Sequence, residues 1–172
     1  ACATATGLRV AACIMGLDHK APAKEPSILL ARRADHLEKH SGQVAFPGGK
    51  VESQDATPVE TGLREADEET GLDPSFVEVA GFLDTYQTGT GFLILPVVGF
   101  IRPGFSLTPD TNEVADIFEV PASLALDAQR YERHSGEWGG KTRHYYSLQF
   151  EGYNIWGATA GMLMHMSRRL AL

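Results

Sequence analysis

The sequence predicts an α/β fold in which a mixed sheet is packed between helices. Apolar strand-like segments dominate the chain, a capped amphipathic helix interrupts them, and a second helix closes the chain. A sheet with two apolar faces is stable when helices cover both of them. A chain of 172 residues can bury one core but is short for two, so we expect one domain over residues 1–172.

Composition and charge exclude several classes of protein. The hydrophobic fraction of 43% and the charged fraction of 22% are those of an ordinary globular chain. A net charge of −7 argues against binding to nucleic acid or to a membrane surface. The two cysteines cannot form a disulfide framework and indicate a reducing compartment, for which we expect the cytoplasm. The sequence leaves open whether the chain forms a homodimer.

The strand predictions rest on apolar segments that end at turn residues. The segment 43–46 runs into Pro47-Gly48-Gly49, a strong turn signal, and a Gly-rich loop over 87–91 separates two longer segments. The predicted strands cover residues 9–17, 27–33, 43–46, 76–85, 92–101, 113–119 and 142–150.

The first helix has a complete set of start and stop signals. Thr57 can cap the first turn, Pro58 fits the first helical position, and Glu60 completes a capping box. Gly71 suits the left-handed residue at which a helix ends. The apolar stripe that we expect to face the core consists of Val59, Leu63, Ala66 and Thr70.

The closing helix is predicted over residues 156–170. We expect Trp156, Ala160, Leu163 and Met164 on its core side. The neighbouring methionines are expected to fill core and helix surface.

The first helix also carries three carboxylates on one face. Glu65, Glu68 and Glu69 have the spacing i, i+3 and i+4, which places them within about 100° of one another around the helix. Because the apolar stripe lies opposite, we expect these acids to point away from the core. Like charges this close repel one another, and Mg²⁺, which takes oxygen ligands, relieves that repulsion.

Neighbouring residues favour a metal site over the alternative, an acidic solvated helix face. The turn Gly48-Gly49 can bring a backbone carbonyl beside a metal ion. Arg64 can orient a carboxylate through a bidentate hydrogen bond.

The segment 48–72 resembles the Nudix box, G-x5-E-x7-R-E-U-x-E-E-x-G-U, in which U is a bulky aliphatic residue. Three positions depart from the pattern: Ala66 occupies the U position, Asp55 replaces the first Glu, and eight residues rather than seven separate Asp55 from Arg64. The matching residues are Gly49, Arg64, Glu65, Glu68, Glu69, Gly71 and Leu72.

The preceding segment resembles the signature of coenzyme A pyrophosphatases, L-L-T-x-R-[SA]-x3-R-x3-G-x3-F-P-G-G. It is carried by Leu29-Leu30-Ala31-Arg32-Arg33-Ala34, by Gly42 and by Phe46-Pro47-Gly48-Gly49. Ala31 replaces the Thr of the signature, and Glu38 replaces its second Arg. Glu38 would repel a substrate phosphate at that position, and Arg32, Arg33 and Lys39 can compensate. Segments further along the chain are also similar to that subgroup, namely Thr90-Gly91-Phe92, Pro96-Val97-Val98-Gly99 and Trp156-Gly157-Ala158-Thr159-Ala160, so the likeness covers roughly residues 27–165.

The resemblance implies Mg²⁺- or Mn²⁺-dependent hydrolysis of a nucleoside diphosphate linked to a variable group. With coenzyme A, the products would be 3′,5′-ADP and phosphopantetheine. It implies Glu65 and Glu69 as metal ligands, Glu68 as a further ligand or a water-orienting group, and the Gly48 carbonyl as a ligand. The general base would be a box glutamate or one from a later loop, for which Glu113 is the candidate.

The resemblance also implies substrate contacts outside the box. Arg33 is expected to bind a phosphate with Arg32 behind it, and strand alternation points only one of them at the substrate. Phe46 is expected either near the substrate or in the core. Tyr86 and Phe92 flank the Gly-rich loop and would either stack on adenine or serve the fold.

Two other functions stay open at this stage. One is a Nudix enzyme for ADP-ribose, NADH, a dinucleoside polyphosphate or an oxidised nucleotide. The other is a nucleotide-sensing module without turnover, against which the three intact glutamates argue. Zinc-site spacings, a G-x-S-x-G elbow and a Walker A sequence are absent from the chain.

Overall fold

The computed structural model describes residues 9–18 and 25–170. Within these ranges the helices are α1 (Pro58–Thr70), α2 (Ala122–Ala125) and α3 (Gly157–Leu170). Short 3₁₀ turns occupy Pro74–Phe76 and Ala128–Arg130. The strands are β1 (Arg9–Asp18), β2 (Ser27–Arg33), β3 (Val44–Ala45), β4 (Gly48–Lys50), β5 (Val77–Phe82), β6 (Tyr86–Gln87), β7 (Phe92–Ile101), β8 (Val114–Pro121), β9 (Glu132–Trp138), β10 (Lys141–Phe150) and β11 (Tyr153–Trp156).

The larger sheet is mixed, as the sequence predicts. Its main strand order is β3-β2-β1-β7-β5, with β8 paired to β2 and β6 paired to β7. The β1–β7 pair is parallel, and the other pairs are antiparallel. The strands β9, β10 and β11 form a second, antiparallel sheet.

The divergence of β1 from β2 positions the candidate site. These strands pair only at Leu17↔Ile28 and Asp18↔Ser27, near the end of β1. Further back along β1, β4 takes the place of β2 and pairs Ala12 with Gly49. The Gly48-Gly49 turn segment therefore becomes a short strand beside the centre of the sheet, in contact with α1.

Helices cover both faces of this sheet, which confirms the predicted layering. On one face, Val59, Leu63 and Ala66 of α1 pack with Ile14 and Val97. On the other face, α3 contributes Met162, Leu163 and Met166 to the largest core cluster. Ile14 and its neighbour Met15 belong to opposite clusters because successive strand side chains point to opposite faces.

The predicted capping of α1 is confirmed with one difference. Thr57 accepts a hydrogen bond from the Glu60 N–H at 3.2 Å. The Glu60 carboxylate accepts from the Ala56 N–H at 2.9 Å instead of closing the box on Thr57. Gly71 ends the helix with φ +69° and donates its N–H to the Asp67 carbonyl at 2.7 Å.

Several predicted boundaries are wrong in ways that have local causes. Trp156 ends β11 and does not begin the closing helix, which starts at Gly157. Phe76 belongs to a 3₁₀ turn, so β5 starts one residue later. The strand β9 is not predicted by the sequence, because its residues, Glu132–Trp138, are largely polar and show no alternation. Hydrogen bonding to β10 defines that strand.

The described helices include none that is long and apolar enough to cross a membrane. The segment that links β1 to β2 lies largely outside the described residues, and Cys2, one of the two cysteines, lies wholly outside them.

Candidate active site

The three box glutamates of α1 do not all face solvent, and this corrects the expectation that they point away from the core. The side chain of Glu69 is 8% exposed and that of Glu65 is 17% exposed, whereas that of Glu68 is 60% exposed. The helix turns its acidic face toward β4, where Gly48 and Gly49 have no side chains to exclude the carboxylates.

Glu69 is the most buried of the three glutamates. Its Oε2 accepts the backbone N–H of Gly48 at 3.1 Å, and Arg33 Nη1 is 3.8 Å from its Oε1. Burial raises the pKa of Glu69 from 4.5 to about 7, although the Gly48 N–H and the Arg33 charge lower it. The negative charges of Glu65 and Glu113 raise the same pKa further. A cation near these oxygens would stabilise the ionised form.

The Glu65 carboxylate lies directly over the backbone of Gly49. A Cβ built on Gly49 would overlap all three atoms of that carboxylate group. Burial raises the pKa of Glu65, and the guanidinium of Arg64 opposes this shift. The second glycine of the turn is therefore required by a close approach between its backbone and the carboxylate.

Arg64 forms the bidentate hydrogen bond that the sequence analysis anticipated, and its partner is Asp55. Its Nε donates to Asp55 Oδ1 at 2.9 Å and its Nη2 to Oδ2 at 3.0 Å. These bonds hold the pKa of the Asp55 carboxyl well below its usual range. On its other side, Arg64 Nη1 lies 3.0 Å from Glu65 Oε1 and 2.9 Å from Glu68 Oε2. Arg64 thus links Asp55, which replaces the first Glu of the box, to two of the box glutamates.

The two neighbouring arginines at the end of β2 point in different directions, as alternation predicts. Arg33 approaches Glu69, whereas Arg32 Nη1 donates to Asp35 at 2.6 Å. The Nε of Arg33 is buried and has no hydrogen-bond partner among the described residues. The side chain of Arg33 is 31% exposed, so its terminal Nη groups can bind an anionic ligand beside the acidic cluster formed by Glu65, Glu69 and Glu113.

The aromatic candidates mostly serve the fold. Phe46 is 4% exposed and belongs to the largest core cluster, so of its two expected locations the core is the one observed. Tyr86 packs on α3, where a Cβ on Gly161 would lie 2.8 Å from its ring. Phe92 lies under the guanidinium of Arg9, with 3.9 Å between the Cζ atom and the ring centre.

Glu113 lies at the start of β8 and is exposed. Its backbone N–H donates to the Asp110 carbonyl at 2.9 Å, and its carbonyl accepts the Ala34 N–H at 2.8 Å. These bonds fix its main chain one residue beyond the end of β2. Its charge acts on both Glu65 and Glu69.

The acidic cluster of Glu65, Glu69 and Glu113 suits a hard divalent cation. Within residues 9–18 and 25–170, no three acidic, histidine or cysteine side chains converge as a ready-made cage. Glu65 and Glu69 are nevertheless close enough to repel, and both have raised pKa values. The backbone at Gly49 leaves room only for the carboxylate of Glu65. Two carboxylates and a backbone carbonyl suit Mg²⁺, which retains several waters.

Two open surface depressions lie away from the box. One is bounded by Tyr86, Tyr146 and His165, and the other by His134 and Trp156 on the smaller sheet. Neither lining includes a box glutamate. The acidic cluster is chosen as the candidate site over these two depressions because of its chemistry.

Thr61 is a member of the site that was not predicted from the sequence. Its hydroxyl donates to Asp55 Oδ2 at 2.8 Å. Its spacing of three residues from Arg64 places both on one helix face, and this signal could have identified it.

The comparisons with known proteins agree with this geometry. A family model described as a NUDIX domain matches residues 7–138. A protein named Nudix hydrolase NudL from Yersinia enterocolitica is 40% identical over 146 residues, covering 85% of this chain and 75% of that protein. The protein of the same name from Enterobacter sp. strain 638 is 39% identical over 149 residues, covering 87% and 78%. The solved Nudix hydrolase RenU from M. smegmatis has a similar fold, with a TM-score of 0.62 at 19% identity, covering 96% of this chain and 89% of that one.

Proposed function

Because the chain belongs to the Nudix hydrolase family and is a pyrophosphohydrolase, we propose that its substrate is coenzyme A or an acyl-CoA. The products are then 3′,5′-ADP and phosphopantetheine or its acyl derivative. The observation that carries this proposal is the guanidinium of Arg33, the arginine of the coenzyme A signature. Its side chain is 31% exposed and its Nη1 lies 3.8 Å from Glu69 Oε1, so its terminal N–H groups can bind a diphosphate beside the acidic cluster.

The proposed metal is Mg²⁺ or Mn²⁺. Glu65, Glu69 and the carbonyl of Gly48 would hold it, with Glu68 as a further ligand or a group that orients water. The chemistry that such an ion supplies when bound is neutralisation of diphosphate charge and activation of water. The 60% exposure of the Glu68 side chain supports the water-orienting role.

The remaining steps fall to side chains of this chain. Arg33 would bind a phosphate oxygen and withdraw charge from the diphosphate, and Arg32, paired with Asp35, lies behind it. Glu113 would accept the proton of the attacking water, because it is an exposed carboxylate whose charge reaches Glu65 and Glu69. A box glutamate is the alternative base.

The departure at Glu38 bears on the substrate. Glu38 is exposed in the loop after β2, together with Lys39 and His40. In this position its carboxylate can turn to solvent while Lys39 meets an additional phosphate. This loop is where coenzyme A, with its 3′-phosphate, would differ from other nucleoside diphosphates.

A substrate panel tests the proposal directly. The purified chain is incubated with coenzyme A, acetyl-CoA, ADP-ribose, NADH, a dinucleoside polyphosphate and an oxidised nucleotide, each with millimolar Mg²⁺ or Mn²⁺. The expected result is the highest kcat/KM for a coenzyme A compound, with 3′,5′-ADP identified by chromatography. The Glu69→Gln variant serves as the control for contaminating activity.

Two outcomes would contradict the proposal in different ways. A higher kcat/KM for another member of the panel would replace the substrate and retain the pyrophosphohydrolase. Tight binding of a nucleotide in calorimetry, without turnover under any metal condition, would favour the sensing module.

Three further expectations remain predictions: a single domain over residues 1–172, a cytoplasmic location and a possible homodimer. Light scattering on the purified chain tests the last of these.

A further inference from the structure

A buried threonine on α1 donates its hydroxyl hydrogen to a side chain that lies outside the helix. Thr61 is 0% exposed, and its Oγ1 donates to Asp55 Oδ2 at 2.8 Å. The carbonyl of Thr57, the acceptor within its own helix, is 3.5 Å away. The shorter contact shows that Asp55 is its main partner.

The carboxylate of Asp55 is fully engaged by its surroundings. Its side chain is 3% exposed, and its Oδ2 accepts from Thr61, from the Glu52 N–H at 2.9 Å and from Arg64 Nη2. Its Oδ1 accepts from Arg64 Nε. A carboxylate held by four donors from three residues has one orientation, and the guanidinium that it binds is fixed with it.

Two of the three departures from the Nudix box, Asp55 and the extra residue before Arg64, compensate each other at this point. Asp55 is one methylene shorter than the glutamate of the pattern, and the segment to Arg64 is one residue longer. The Asp55 N–H donates to the Glu52 carbonyl at 3.1 Å, so residues 52–55 form a turn that closes on the Asp55 carboxylate. Thr61 then supplies, from the helix, the donor that holds the shorter side chain in place.

We propose that Thr61 is a positioning residue, which acts through Asp55 and Arg64 to fix the direction of the Glu65 carboxylate. Arg64 Nη1 is 3.0 Å from Glu65 Oε1, and Glu65 in turn lies over the Gly49 backbone. Loss of the Thr61 hydroxyl frees one lone pair of Asp55 and lets the guanidinium rotate. The effect on turnover rests on the proposed function, whereas the effect on Arg64 does not.

The test compares three variants of buried threonines on one helix. Thr61→Val removes the hydroxyl at nearly constant shape, and Thr61→Ser retains it. Thr70→Val is the matched control, because Thr70 is also 0% exposed on α1 and its hydroxyl donates to the Ala66 carbonyl of its own helix. We expect Thr61→Val to lower kcat about 10- to 100-fold with KM within threefold, since small misplacements of catalytic groups have effects of this size. Thr61→Ser should stay within threefold of wild type and Thr70→Val within twofold.

Two readouts do not depend on the substrate. The Nε–H hydrogen of Arg64, observed in ¹⁵N NMR spectra, should exchange slowly with water in wild type and in Thr70→Val. In Thr61→Val it should exchange rapidly. The dissociation constant for Mn²⁺, measured by electron paramagnetic resonance, should rise severalfold in Thr61→Val alone. Turnover is measured with whichever diphosphate of the panel gives the highest kcat/KM.

The outcomes separate this inference from the proposed function. If wild type turns over no diphosphate, the proposed function fails, and the Arg64 signal and Mn²⁺ affinity still decide the role of Thr61. If Thr61→Val matches Thr70→Val in all three readouts, or Thr61→Ser gives no rescue, the inference is wrong. If Thr61→Val does not fold, Thr61→Ala, which also lacks the hydroxyl, replaces it, and wild-type behaviour in that variant's Arg64 signal and kcat would also refute the inference.

Discussion

Replacing Glu69 by Gln should stabilise the metal-free protein at alkaline pH while removing most of its activity. The carboxylate is 8% exposed and has one backbone N–H donor, from Gly48, as its close partner. Burial raises its pKa from 4.5 to about 7, so the folded protein holds a proton on Glu69 that the unfolded chain releases. Gln has nearly the same shape, can accept the same N–H and has no charge to desolvate.

The sign and size of the effect follow from linkage. Between pH 4.5 and about 7 the folded state binds more protons at Glu69 than the unfolded state does, so wild-type stability falls as pH rises through this window. At about 1.4 kcal/mol per pKa unit, the loss approaches about 3 kcal/mol by pH 8. The variant lacks this loss. Its stability advantage should therefore be near zero at pH 4.5 and about 2–3 kcal/mol at pH 8.

Urea unfolding in the presence of a chelator measures this difference at pH 5, 6, 7 and 8. Glu68→Gln is the matched control, because the Glu68 side chain is 60% exposed and we expect only a small, pH-independent change. A Glu69→Gln advantage that is the same at pH 5 and pH 8, or a loss of stability at pH 8, would refute the burial argument. In a separate assay without urea or chelator and with millimolar Mg²⁺, kcat of Glu69→Gln should fall about a thousandfold or more, and near-wild-type turnover would refute the metal-ligand role.

Three other substitutions test the roles assigned to residues in and around the acidic cluster. Gly49→Ala should lower kcat at least about 100-fold, because its Cβ would displace the Glu65 carboxylate. Gly136→Ala is the control and should change kcat less than twofold, because a Cβ at that position meets nothing within 4 Å. Equal effects of the two variants in steady-state assays would contradict the close approach of Glu65 to Gly49. Arg33→Ala should lower kcat/KM by about 10- to 100-fold through loss of a charged hydrogen bond to phosphate, and an unchanged kcat/KM would remove Arg33 from the substrate site. Glu113→Gln should lower kcat about 100- to 10,000-fold; a kcat within about threefold of wild type would assign the base to a box glutamate.

Helix α1 could be predicted almost residue by residue because its determinants are local. The bond from Glu60 to Thr57 and the left-handed Gly71 connect residues no more than four positions apart. The spacing of Glu65, Glu68 and Glu69 likewise follows from the helical period alone. The strand β9 could not be found in this way, because its polar residues form a strand only through their pairing with β10.

The sequence by itself determined the α/β layering, the ends of α1 and the placing of three carboxylates on one helix face, since each depends on short-range bonds or on periodicity. Only the tertiary structure decided that Glu69 is buried, that Phe46 belongs to the core, and that Arg33 rather than Arg32 approaches the acids. These outcomes depend on distances between α1, β4 and the end of β2, which meet because β1 diverges from β2 and admits β4. Periodicity fixes the direction of a side chain relative to its own element, and packing alone fixes what that side chain meets.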